Sequence, residues 1–155
     1  MPHIHEKVDF TVEVFVVYNN KVLLRKHDKY KIWLSIGGHI ELEDDPNQAA
    51  VREVKEEVGL DIELIPPKDW KKIEDKNHNE LIPPIFMNRH RINPTHEHVS
   101  LIFYAKSKTD RVIQGETEVS EECRWFSMDE LNSKKFDLPE KIRYYAKKVL
   151  ELVNG

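Results

Sequence analysis

The sequence predicts an α/β domain on three observations. A sharply bounded amphipathic helix lies near 46–58, strand-type apolar alternation runs over Val8–Val17 and Val99–Ala105, and a second amphipathic helix follows Pro139. Strands before and between two one-sided helices suit helices packed on a sheet. The 155 residues are expected to form one domain spanning 1–155, because charged residues are 34% and hydrophobic ones 39%, a soluble globular balance. No repeat, low-complexity tract or Gly/Ser linker divides them. No apolar run has the length of a transmembrane helix, and Met1–Lys7 lacks the apolar core of a signal peptide. The single Cys123 cannot form an intramolecular disulfide, which agrees with a reducing compartment and a cytoplasmic location. A net charge of −4 argues against a general nucleic-acid binder.

In chain order, Val8–Val17 opens as a strand, with Phe10, Val12, Val14 and Val16 on one face and Asp9, Thr11 and Glu13 on the other. Asn19-Asn20 suits a tight turn, because asparagine tolerates positive φ. Lys21–His27 returns as the second strand of a hairpin, ending in the positive charge of Arg25, Lys26 and His27. Lys31–Ile36 leads on as a short strand that delivers Gly37-Gly38. That pair permits a sharp turn or a close approach of the backbone to another group. The helix that follows has clear ends. Asp45 is its N-cap, Pro46 its first residue and Gln48 the partner in a capping box, while Gly59 suits the left-handed C′ position.

At about 100° per residue, Ala50, Val51, Val54 and Val58 share one arc, which is expected to face the core. Glu53, Glu56 and Glu57 share a neighbouring arc, with Ala49 between them. Like charges at four-residue spacing destabilise a helix by a few tenths of a kcal/mol. Such a face suits a hard divalent cation, since magnesium takes oxygen ligands in octahedral geometry and leaves room for substrate phosphates. Arg52 stands beside this arc, able to pair with Asp44 or Glu56 and hold a carboxylate in one orientation. On periodicity alone, a solvated, charge-laced surface helix is the equal alternative.

Asp61–Ile65 alternates as another strand and stops at Pro66-Pro67. The segment 68–95 has no clear period and holds Trp70, Phe86 and the basic run Arg89, His90, Arg91. Next comes His96-Glu97-His98, where strand alternation would set the two histidines on one side and Glu97 on the other. Two imidazoles make an incomplete zinc site, and no other Cys/His cluster of suitable spacing accompanies them. Arg124–Ser127 is expected to be a last short strand, with Trp125 and Phe126 in the core, leading into a helical turn at Met128–Leu131. Asp137, Pro139 and Glu140 start the terminal helix, whose stripe is Ile142, Tyr145, Ala146, Val149 and Val153.

From Gly38 to Leu60 the chain resembles the Nudix box, G-x5-E-x7-R-E-U-x-E-E-x-G-U, with U a bulky apolar residue. Gly38, Arg52, Glu53, Val54, Glu56, Glu57, Gly59 and Leu60 match in register. Asp44 replaces the first glutamate, and Ile36 stands where the family usually has proline before the glycine pair. The resemblance implies a Nudix-type α/β/α sandwich, with a mixed, curved β-sheet between helices. It also implies metal-dependent hydrolysis of a nucleoside diphosphate linked to another moiety X, with Mg2+ or Mn2+ held by Glu53, Glu56, Glu57 and the Gly38 carbonyl. Arg52 would orient Glu53, and a box carboxylate or Glu97 would take the proton from water. Glu116, Glu118, Glu121 and Glu122 compete with Glu97 for the role of an acid outside the box.

Arg25 is a phosphate-binding candidate by resemblance, with an exposed strand-end arginine as the alternative. Arg89 and Arg91, interleaved with Trp70 and Phe86, are candidates to grip phosphate and stack on a base, against an ordinary solvated charge run. The alternative function is a Nudix-fold nucleotide-binding or regulatory module of weak activity, which the shorter Asp44 favours. An RNA-processing enzyme would need a broader basic surface. Markers of ADP-ribose and dinucleoside polyphosphate subgroups are absent at Asp75 to His78, so X stays open. The implied partner is a small nucleotide rather than a membrane or nucleic acid, and the family includes both monomers and homodimers.

Overall fold

The computed structural model describes residues 6–27, 29–115 and 122–154. In chain order the elements are strands β1 (Val8–Tyr18), β2 (Lys21–Lys26), β3 (Trp33–Leu34) and β4 (Ile36–His39), then helix α1 (Pro46–Val58). Strands β5 (Ile62–Leu64), β6 (Glu74–Asp75), β7 (His78–Asn79), β8 (Phe86–Asn93), β9 (His96–Ser107) and β10 (Glu122–Phe126) follow. Helices α2 (Met128–Asn132) and α3 (Glu140–Asn154) end the described chain.

β1 is the axis of the main sheet. One edge pairs in parallel with β9 from Val8↔Glu97 to Val17↔Lys106. Its other edge is shared, with β4 taking Thr11 to Val14 and β2 taking Val17 and Tyr18, both antiparallel. The core order is β10-β2-β1-β9-β5, with β3 on β2, β4 on β1 and β8 on β9. This is the mixed sheet that the sequence implied. The β1–β2 hairpin turns through Asn19 and Asn20 at φ 49° and 60°, the positive values that a two-residue type I′ turn requires.

Helices cover both faces. Val12, Val14, Val16, Leu23, Ile36 and Phe103 pack with Ala49, Ala50, Val54 and Val58 of α1. Phe15, Val17, Leu24, Trp33, Ile102, Tyr104 and Phe126 pack with Leu131 of α2 and with Ile142, Tyr145, Ala146, Val149 and Leu150 of α3. The architecture is therefore an α/β/α sandwich.

Several expectations change. On α3, Leu150 is buried and Val153 is 44% exposed, so the stripe follows the i, i+3, i+4, i+7, i+8 spacing from Ile142. Phe10 is half exposed and Asp9 fully buried, the reverse of an apolar-in strand start, because polar side chains fill the opposite face there. The segment 68–95, without period in the sequence, contains the small β6–β7 hairpin and strand β8. β8 ends in the exposed Arg91, Ile92 and Asn93 at the margin of the sheet, so no apolar alternation marks it.

Candidate active site

The α1 helix begins and ends as its sequence dictates. The Gln48 amide donates to Asp45 Oδ1 at 2.8 Å, and the Asp45 amide donates to Gln48 Oε1 at 2.9 Å, closing the capping box. Gly59 takes φ 71° and donates to the Lys55 carbonyl, ending the helix in the left-handed conformation. The buried arc, however, is rotated from the apolar one. Ala49, Ala50, Glu53, Val54, Glu57 and Val58 face the sheet, while Val51 is 41% exposed. Two of the three glutamates are thus interior, at 3% and 4% exposure, and Glu56 stands at the solvent side.

Burying carboxylates is costly unless they are paired or bind a cation. Arg52 supplies the organising charge. It donates from Nη2 to Asp44 Oδ2 at 2.7 Å and to the His39 carbonyl at 3.2 Å, and from Nη1 to Glu53 Oε1 at 2.9 Å and Glu56 Oε2 at 3.5 Å. The shorter arm of Asp44 therefore reaches its partner directly. Glu53 lies over Gly38, where a Cβ would sit 2.4 Å from its carboxyl carbon and 2.5 Å from both oxygens. That close approach, rather than a turn, is what requires glycine here. Arg25 donates from Nε to the Ser35 carbonyl at 3.3 Å and stands 3.6 Å from Glu57 Oε2, so it meets the same cluster from β2.

Gly38, Asp44, Arg52, Glu53, Glu56, Glu57 and Arg25 are thus one constellation. Glu97 stands apart from it. Its ladder partner is Val8, four residues along β1 from Val12, which pairs with Gly38, so the two levels differ by roughly 13 Å. Arg89 donates to both oxygens of Glu97, at 3.0 and 3.1 Å, which lowers the pKa of that carboxyl from its ordinary value. Arg91 pairs with Glu97 on the ladder and is exposed, so Arg89 and Arg91 also lie away from the box. Trp70 donates to the Leu81 carbonyl, and Phe86 packs on Tyr104, Tyr144 and Tyr145. Glu116, Glu118 and Glu121 lie outside the described residues, and Glu122 is on β10, pairing with Lys26.

A second polar cluster occupies the opposite face of β4. Register sets Thr11 beside His39 and Asp9 beside His98, and alternation turns all four away from the Gly38 side. His39 Nε2 and His96 Nε2 lie 3.2 and 3.3 Å from the same Asp9 oxygen, and ligand atoms of Asp9, His39 and His98 lie within 4.8 Å of one another. Thr11 and Ser100 hydroxyls bond at 2.7 Å beside them. Burial, with the like charges of His39, His90 and His96, pushes the His98 ring down to about 4. Sequence reasoning had His96 and His98 but not Asp9 or His39, which only sheet pairing brings to them.

A family profile described as the NUDIX domain matches residues 9–150. A crystal structure of a NUDIX-family hydrolase from Clostridium perfringens is similar at 33% identity and TM-score 0.82, with 94% of this chain and 97% of that one covered. A MutT NUDIX hydrolase from Burkholderia pseudomallei shares the fold at 18% identity and TM-score 0.64, covering 96% and 99%. An ADP-ribose pyrophosphatase from Streptococcus suis shares it at 19% and 0.59, covering 95% and 92%. No curated protein gives a significant match. The box that Arg52 ties together, on this sandwich, is explained by descent: the chain belongs to the Nudix hydrolase family, enzymes that split phosphoric anhydrides.

Proposed function

We propose that the protein hydrolyses a nucleoside diphosphate linked to another moiety X, with water attacking a phosphorus of the diphosphate bridge. The observation that carries this reading is the Arg52-centred cluster. Arg52 bonds Glu53 and Glu56, Glu53 lies against Gly38, and Arg52 is itself held by Asp44 and the His39 carbonyl. Structural neighbours described as an ADP-ribose pyrophosphatase and a UDP-X diphosphatase fit a substrate of this class.

The donor set is all oxygen, which suits Mg2+ or Mn2+. Glu53, Glu56, Glu57 and the Gly38 carbonyl would hold the ion. Bound there, it would offset phosphate charge, orient the bridge and lower the pKa of a coordinated water. The chain's own residues do the rest. Arg52 fixes Glu53 against Gly38 in one orientation. Arg25, beside Glu57, offers a guanidinium to a substrate phosphate. A box carboxylate accepts the proton of the attacking water, because Glu97 is tied to Arg89 at the other end of β1. Direct pairing of Asp44 with Arg52 favours this reading over a weakly active binding module.

The test is a phosphate-release screen over nucleoside diphosphate derivatives with Mg2+ or Mn2+, comparing wild type with Glu56→Gln. Metal-dependent turnover of some substrate, reduced about a hundredfold or more in the variant, supports the proposal and identifies X. Nucleotide binding without turnover by either metal would replace it with the binding-module reading.

A further inference from the structure

We infer that Asp9, His39 and His98 form a second divalent-cation site, of zinc type, separate from the carboxylates of the box. The three residues come from β1, β4 and β9, and their ligand atoms already lie within 4.8 Å of one another. With Zn–N and Zn–O distances near 2.1 Å, tetrahedral ligands stand about 3.4 Å apart. The 3.2 Å between His39 Nε2 and Asp9 Oδ2 is close to such an edge.

The chemistry of the donors selects the ion. Imidazole nitrogens with one carboxylate suit zinc or a similar transition metal, whereas magnesium and calcium prefer all-oxygen shells. An anionic ligand such as phosphate would face the carboxylate of Asp9, which is fully buried. The box carboxylates lie on the other side of β4, with Gly38 facing Glu53 and His39 facing Asp9.

His96 sharpens the argument. Its Nδ1 lies 3.0 Å from the Glu6 carbonyl, which can only accept, so that nitrogen carries a hydrogen. Its Nε2 faces Asp9 Oδ2 at 3.3 Å. A histidine whose outer nitrogen is fixed by a backbone carbonyl is the usual arrangement next to a metal. His96 thus lies beside the three residues, facing the same Asp9 oxygen as His39. A metal here would pin the strand carrying Gly38 to β1 and β9, which makes it structural in role.

The inference stands independently of the hydrolase reading, and its test reads metal rather than turnover. Protein made without a histidine tag is stripped with EDTA, titrated with Zn2+ and measured for metal after gel filtration; Co2+ reports geometry through its visible bands. The expected result is one retained equivalent of zinc with a tetrahedral cobalt spectrum. His98→Ala and Asp9→Asn should each lower zinc affinity at least tenfold, while Glu53→Gln keeps it. Zinc should also raise the melting temperature of wild type more than that of His98→Ala. The inference is overturned if no equivalent is retained, if cobalt shows octahedral bands, or if Glu53→Gln alone abolishes binding, which would assign the metal to the box. Should the variants fail to fold, wild-type stoichiometry and the cobalt spectrum still decide.

Discussion

Replacing Gly38 by alanine probes how closely the box is built. The added Cβ would meet the Glu53 carboxylate at 2.4–2.5 Å, about 1 Å short of ordinary contact. The atoms in its way are the end of a side chain, so the fold can yield by moving that carboxylate. Glu53 is 3% exposed and tied to Arg52, so the carboxylate shifts by about 1 Å within a packed site. A misplacement of this size costs on the order of a hundredfold in rate. The stability loss should stay near the low end of the roughly 1–3 kcal/mol typical of overpacking. Gly37→Ala is the informative contrast, because its Cβ would sit 2.1 Å from the Val12 carbonyl oxygen, a backbone atom that cannot step aside. Gly37→Ala should therefore lose more stability than Gly38→Ala. Metal-dependent hydrolysis and thermal unfolding, measured on both, check the contrast. Gly38→Ala with activity within a few-fold of wild type would refute the claim that Glu53 must lie against the glycine.

Arg52→Lys keeps the charge but gives up the fork that spans Asp44, Glu53 and the His39 carbonyl, so activity should fall about 10–100-fold at saturating metal. Leu150→Ala should cost about 2–5 kcal/mol in denaturant unfolding. Val153→Ala should cost under about 0.5 kcal/mol, because that side chain is 44% exposed. In EDTA, stability should decline between pH 7 and pH 5. His98 sits at about 4 in the fold against an ordinary 6.5, so on acidification the unfolded chain takes the proton first. That contribution is fully present above about pH 6.5 and is lost toward pH 4. His90, lowered by burial and by Lys141, adds in the same direction. Glu130, held at about 2 by Arg124, loses its contribution only below about pH 4.5, so the window isolates the histidines. His98→Gln should flatten the decline, and a wild-type melting temperature unchanged from pH 7 to 5 would count against a buried, neutral His98.

What the sequence made legible was local. The caps of α1 are written in Asp45, Pro46, Gln48 and Gly59, and the hairpin in Asn19-Asn20, because each depends on residues within one turn. The buried arc of α1 was misplaced because apolarity assigns Val51 inward and the glutamates outward, whereas the site draws Glu53 and Glu57 in and leaves Val51 out. Position in space was the other loss. Glu97 follows strand alternation as expected, yet nothing local says that its partner is Arg89 or that the box begins four residues up the neighbouring strand. Asp9 and His39 were unreadable as a pair with His98, because their meeting depends on the parallel β1–β9 ladder and on β4 across β1.

That parallel ladder also sets a schedule for synthesis. The β1–β2 hairpin is complete by Lys26, but the strand that seals the other edge of β1 ends at Ser107. At roughly 5–20 residues per second, the ribosome needs about 4–16 s to deliver it. During that interval the nascent chain presents Val12, Val14 and Val16 along an open backbone edge, so crowding on one messenger favours pairing between neighbouring copies. Slower translation across residues 27–107 should therefore lower the share of chains that emerge as separate, folded molecules.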